Sequence, residues 1–267
     1  MNTLLFAIWN LSVILESLPI SSSGHVRLFV DTITQARGPQ VKLLSSHTEH
    51  IIHIPNGIML GYVLIDFILL LNERKFTFHP LLFVFSVMIS CFITGIVYLI
   101  FESRGTPPFK LSAGFFISGC GLISLYWAPI PTVTSVLPLH AIIIGCAQSF
   151  SLLPGISRMV STMICSQWLG IDPTIGFAFS LACEFALICV ALVKAAVTAP
   201  YLRIVKELSL AQVIILSCST LLSYYVLSFS YQGFVYRTIP LLGWYLIGLS
   251  VFLITILKSP SIHHDAQ

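Results

Sequence analysis

Glu16-Ser17-Leu18-Pro19-Ile20-Ser21-Ser22-Ser23-Gly24-His25 interrupts an apolar stretch that runs from Leu4 to Phe29. A carboxylate, four hydroxyls and an imidazole stand where a hydrophobic helix would otherwise continue. A second stretch, Ala141–Ile164, is broken in the same way by Leu152-Leu153-Pro154-Gly155-Ile156-Ser157-Arg158. Both stretches are too short and too interrupted to be ordinary membrane spans. Irregular backbone at membrane depth is tolerated only where protein buries it or water reaches it. The two segments therefore read as re-entrant helix–loop–helix hairpins. Leu18-Pro19-x-x-Ser22 also matches Leu153-Pro154-x-x-Ser157. Paired interruptions in corresponding halves point to an internal repeat that builds a site near the bilayer midplane.

The rest of the chain supports a membrane setting. Of 267 residues, 57% are hydrophobic and 9% are charged, with a mean hydropathy of +0.96. Soluble domains carry about a quarter charged residues, and so few charges cannot cover a water-facing surface. Four further stretches have the length and apolarity of full spans: Gly57–Leu71, Leu81–Phe101, Thr174–Ala199 and Leu208–Phe229. Leu241–Leu257 reads as a fifth span and Leu111–Trp127 as a shorter sixth. The expected fold is all-α, a polytopic membrane bundle with two re-entrant hairpins from inverted repeats. It forms a single membrane domain over residues 1–267, with repeat-like halves of about 1–130 and 131–258 and a polar tail at 259–267.

Several classes are set aside. The net charge is +3 and no basic run occurs, so nucleic-acid binding has no support. The seven cysteines form no CxxC pair and read as small buried hydrophobes. Residues 1–18 lack a basic n-region and a small-residue cleavage site, so they are expected to be a retained element. Lys and Arg occur in loops on both sides, which leaves the orientation open.

The interruptions carry the chemistry. A serine run followed by glycine after a proline can open a helix whose free N–H groups converge on one spot, a phosphate-binding device. Ser21, Ser23 and Gly24 are candidate substrate contacts on that ground. Ser22 and His25 are three apart and share a helical face, the minimal nucleophile–base spacing. A helix cap with an incidental histidine is the plain alternative, but polar groups inside a membrane are costly and usually functional. Arg158 follows Pro154-Gly155-Ile156-Ser157 and offers a fork of donors suited to phosphate oxygens. Gly155, Ser157 and Thr162 are the substrate contacts expected around it. Glu16 can orient His25, hold a divalent cation or carry a proton, with a salt bridge to Arg158 as the bland reading. Glu184 interrupts a strong apolar span and is expected to face the bundle interior as a second-tier site residue. Asp66 reads as interfacial. His47, Glu49, His50 and His53 invite a metal reading, but an interfacial loop explains them better.

Together these residues resemble the bacterial undecaprenyl-diphosphate phosphatase (bacitracin-resistance) family. Glu16–His25 resembles its E-F-L-P-V-S-S-T-G-H motif. Gly145-Cys146-Ala147-Gln148, with Leu153–Arg158 and Thr162, resembles its G-x-x-Q and P-G-x-S-R-S-G-x-T motif. Phe177–Leu181 resembles the F-S-F-L-L run that follows. The resemblance covers most of the chain, the C-terminal third in hydropathy only. It implies hydrolysis of a polyprenyl diphosphate to the monophosphate and inorganic phosphate, which recycles the carrier lipid for cell-wall synthesis. It implies a multi-pass protein of the inner membrane, in contact with membrane lipids, with its site open to the outer side; a homodimer is compatible with it. Arg158 would clamp the diphosphate, His25 would handle protons or attack, and Ser22 would be a nucleophile. Glu16 would support the histidine or a divalent cation, Mg2+ or Ca2+.

Three departures stand out. Ser12 occupies the position where the family has a second acidic residue or Gln, Met159-Val160 replaces its S-G, and Glu184 replaces a proline. Glu184 is expected to substitute for the missing carboxylate. Two other readings follow from the same features: a lipid or small-anion transporter, and a homologue that binds without cleaving. A link to the membrane acid-phosphatase superfamily is disfavoured because Ile164 stands where that pattern needs a histidine.

Overall fold

The computed structural model describes residues 3–37, 49–73, 79–198, 209–236 and 238–255. Among them the chain is almost wholly helical. The helices are α1 (Thr3–Glu16), α2 (Ser22–Arg37), α3 (Glu49–Glu73), α4 (Pro80–Arg104), α5 (Leu111–Ser124), α6 (Pro138–Ser149), α7 (Arg158–Trp168), α8 (Pro173–Thr198), α9 (Leu210–Val235) and α10 (Pro240–Thr255). Short 3-10 turns extend α5 through Leu125–Trp127 and α6 through Phe150–Leu152. The only β pairing among the described residues is an isolated bridge between Val133 and Ile171.

Helix lengths follow a pattern. In chain order α1 to α5 have 14, 16, 25, 25 and 14 residues, and α6 to α10 have 12, 11, 26, 26 and 16. The two broken segments are thus pairs of short helices. A helix of 14 residues rises about 21 Å, well short of the about 30 Å of hydrocarbon. Three helices, Pro80–Arg104, Pro173–Lys194 and Leu210–Val235, are long and apolar enough to cross a membrane. Helix α3 carries an apolar stretch that includes Ile54–Leu70. That helix starts at Glu49 rather than Gly57 and contains Pro55. His50 and His53 consequently lie in a helix rather than a loop, and His47 lies outside the described residues. No group of three metal-capable side chains occurs among the described residues.

Small and hydroxylated residues hold the helices together, as expected where lipid removes any hydrophobic drive between helices. On α4, Ser86 donates to the Val136 carbonyl at 3.0 Å and Ser90 to Gln148 Oε1 at 3.3 Å. On α9, Ser223 donates to the Val13 carbonyl at 2.9 Å and Ser230 to the Ser17 carbonyl at 3.0 Å. Each long helix thereby grips the first helix of one broken pair, α6 for α4 and α1 for α9. Helices α5 and α10 pack on each other at Gly119 and Gly243, where an added Cβ on either would stand 2.7 Å from the other's carbonyl oxygen. Many large apolar side chains face outward, Leu81, Phe92, Val193 and Phe229 among them. Lipid, rather than water, suits that surface.

Candidate active site

Both loops end in a serine that starts the next helix. Ser157 accepts from the Val160 N–H at 3.4 Å and caps α7. Ser21 accepts from the Gly24 N–H at 3.2 Å and serves α2 in the same way. A hydroxyl in this position satisfies one of the free N–H groups of the first helical turn. The structural equivalent of Ser157 is therefore Ser21, one residue before the Ser22 that the sequence pattern paired with it. The second loop absorbs the extra residue at Gly155, whose φ of +85° suits glycine.

The two loops meet at α5. A Cβ on Gly155 would stand 2.5 Å from the Leu111 carbonyl oxygen and 3.0 Å from the Phe115 nitrogen. A Cβ on Gly114 would run into the Pro154 carbonyl oxygen. Ser118 donates to the Gly155 carbonyl at 3.3 Å and accepts from the Ser157 N–H at 3.4 Å. On the other side, the Phe115 ring lies 4.9 Å from the His25 ring, centroid to centroid. It also limits the space at Gly24, where a Cβ would come within 2.9 Å of it. Fully buried Phe115 is thus a wedge that touches both interruptions. Sequence reasoning overlooked it, and a phenylalanine in an apolar span gave no signal.

His25 is fully engaged. Its Nδ1 lies 2.7 Å from the Ser21 carbonyl and its Nε2 lies 2.9 Å from the Tyr245 hydroxyl. A carbonyl only accepts, so Nδ1 carries the proton and Nε2 accepts from the phenol. Ser22 and His25 lie on one helix as expected, but no hydrogen bond joins them, because both ring nitrogens are taken. Tyr245 was not singled out from the sequence either. The signal was available: a phenol in an otherwise apolar terminal span.

The charged groups converge from three helices. Glu16 ends α1, Arg158 opens α7 and Glu184 lies in the middle of α8. Each carboxylate is within electrostatic reach of the guanidinium, and Glu16 is within reach of Glu184. Yet neither forms an ion pair with Arg158; among the described residues the ion pairs are Arg27–Asp31 and Lys194–Glu102. Glu16 Oε2, Arg158 Nε and Glu184 Oε2 are all buried without a hydrogen-bond partner. Buried polar groups are nearly always paired, so three orphans of complementary charge mark a place shaped for something else. Gln148 Nε2 is also buried without a partner, while its Oε1 is held by Ser90.

Other residues fall outside this cluster. The Ser12 hydroxyl donates to the Ile8 carbonyl of its own helix at 2.9 Å. Met159 and Val160 are buried in the core. The Thr162 hydroxyl is engaged by the Met159 carbonyl at 3.0 Å and by Ser180, so it ties α7 to α8 rather than presenting a free donor. Asp66 is exposed, in keeping with an interfacial place, and Ser23 is exposed beside buried Gly24.

Residues 11–252 match the family described as Bacitracin resistance protein BacA. The chain belongs to that family. Among curated relatives it is 28% identical over 184 residues to an undecaprenyl-diphosphatase of Janthinobacterium sp. (strain Marseille), covering 62% of each chain. It is 31% identical over 166 residues to one from Methanococcus vannielii, covering 58% of this chain and 63% of that one. It is 28% identical over 204 residues to one from Clostridium novyi, covering 69% and 68%. The matched part thus spans less than two thirds of the first two relatives. The family match includes both interruptions and Glu184, and with them every charged group of the cluster.

Proposed function

We propose that the protein hydrolyses a polyprenyl diphosphate, undecaprenyl diphosphate in the first instance, to the monophosphate and inorganic phosphate. The observation that carries this reading is the trio of unpartnered buried atoms on Glu16, Arg158 and Glu184. An anion beside a guanidinium satisfies Arg158, and its planar donor fork suits two phosphate oxygens. The names of the relatives supply the substrate class.

In this reading Arg158 binds the diphosphate and stabilises the charge that grows on its oxygens as the P–O–P bond breaks. The N–H groups at the start of α2 and α7, shaped by Ser21 and Ser157, add donors around it. Ser22 supplies the attacking hydroxyl and His25 handles its proton; the lipid monophosphate leaves, and water then releases inorganic phosphate from the serine. The pair Glu16 and Glu184 suits a divalent cation, because Mg2+ is commonly held by one or two carboxylates together with substrate phosphates. Such an ion would neutralise phosphate charge and relieve two buried carboxylates of their mutual repulsion. Glu184 in this way replaces the carboxylate that Ser12 does not provide.

The repeated order and lengths of the helices described in the two halves support an inverted-repeat origin. The short paired helices support re-entrant hairpins that bring the site to membrane depth. The inner membrane, with the site open to its outer face, is the setting this reading assigns. The test is phosphate release from undecaprenyl diphosphate by the purified full-length protein in detergent, with and without chelator. The expected result is release that stops on chelation and resumes with Mg2+ or Ca2+. For Glu184→Gln, the expected result is a cation requirement raised about ten- to hundredfold, the scale on which metal sites respond to lost supporting groups. Lipid binding or vesicle flux without release would overturn the reading.

A further inference from the structure

His25 offers one lone pair, on Nε2, and the Tyr245 hydroxyl occupies it at 2.9 Å. The other ring nitrogen is committed to the Ser21 carbonyl at 2.7 Å. The Tyr245 ring lies 5.8 Å from the His25 ring at an interplanar angle of 14°, so the two are stacked as well as bonded. Phe115 closes a further side of the imidazole. With both nitrogens taken and the ring held between aromatics, His25 is not free to turn toward a substrate. A proton can reach Nε2 only through the phenolic oxygen, or after Tyr245 has left.

Resting on the proposed hydrolysis, we infer that Tyr245 is a catalytic residue, a proton relay between the attacking oxygen and His25. The attacking oxygen gives its proton to the phenolic oxygen, and the phenolic proton passes to Nε2. Tyr245 ends as a neutral hydroxyl and His25 as an imidazolium whose Nδ1–H still points at Ser21. Because a phenol both donates and accepts, the same hydroxyl then accepts from the new Nε2–H and holds the ring in place. As the new O–P bond forms and the P–O–P bond breaks, the reverse transfer returns the proton to the oxygen of the departing lipid monophosphate. No further titratable side chain takes part in hydrogen bonds or ring contacts with the imidazole among the described residues. The helix that carries Tyr245 is anchored close to the site by the Gly119–Gly243 contact two residues away.

The test compares Tyr245→Phe, which keeps the stacked ring and removes only the hydroxyl, with His25→Ala. In Tyr245→Phe, kcat for phosphate release from undecaprenyl diphosphate should fall about a hundredfold with KM changed little, the scale of a lost general acid–base group. The 15N NMR signal of His25 Nε2, assigned by its loss in His25→Ala, should shift as the lone pair is freed. That signal also shows that the variant is folded. If Tyr245→Phe keeps or raises kcat while His25→Ala is inactive, the hydroxyl is only displaced by substrate and the relay is overturned. If His25→Ala itself retains activity, the assignment of His25 to hydrolysis fails, and with it the reading on which the relay rests.

Discussion

The two broken segments share a frame and differ in chemistry. In each, a short apolar helix ends in a proline-containing loop, a serine caps the next helix, and serines of a long helix grip the first one. The first segment then presents Ser22 and His25, groups that move protons. The second presents Arg158, a group that cannot lose its own. Its loop is one residue longer between proline and cap, and Gly155 takes up the difference at φ +85°. A shared frame supplies positions; one or two side chains in each segment decide what each position does. The comparison also corrects the register: Ser21 and Ser157 correspond, which sets Ser22 opposite Arg158 and makes the divergence sharpest at the first residue of each helix.

Breaking the charged segment should cost most. Arg158→Ala is expected to lower kcat/KM for undecaprenyl diphosphate about a thousandfold, the scale of one essential oxyanion donor. Phosphate release at fixed lipid concentration measures it, and a loss below tenfold would place the substrate charge elsewhere. Gly155→Ala should act through folding instead. It forces alanine into a left-handed backbone and a contact with the Leu111 carbonyl, at a cost of about 2 kcal/mol. A lowered thermal unfolding midpoint in detergent checks this, and an unchanged midpoint would mean that the loop relaxes away from α5. The smallest effects belong to the caps. Ser21→Ala and Ser157→Ala should each cost about 1 kcal/mol of stability. Equal losses would support the equivalence of the two caps; a loss confined to Ser157→Ala would break it.

Much of the fold was legible beforehand. Apolar runs separated by polar punctuation located the helices, because a bilayer demands continuous apolar length. The two interruptions were legible as candidate sites because hydroxyls, carboxylates and guanidinium are expensive in such surroundings. Glu184 stood out on the same ground, and the structure brings it within electrostatic reach of Glu16 and Arg158. Phe115 was not legible, and the phenol of Tyr245 marked a polar group without saying what it meets. An aromatic residue in an apolar span looks the same in sequence whether it faces lipid or an imidazole.

By itself, then, the sequence determined where helices run, where they break and which side chains are too costly to be there without purpose, since these depend on local hydropathy and spacing. Only the tertiary structure decided which breaks face each other, which serine is the cap, and what touches His25. Those outcomes depend on contacts between residues as distant in sequence as His25 and Tyr245, and no local pattern records them.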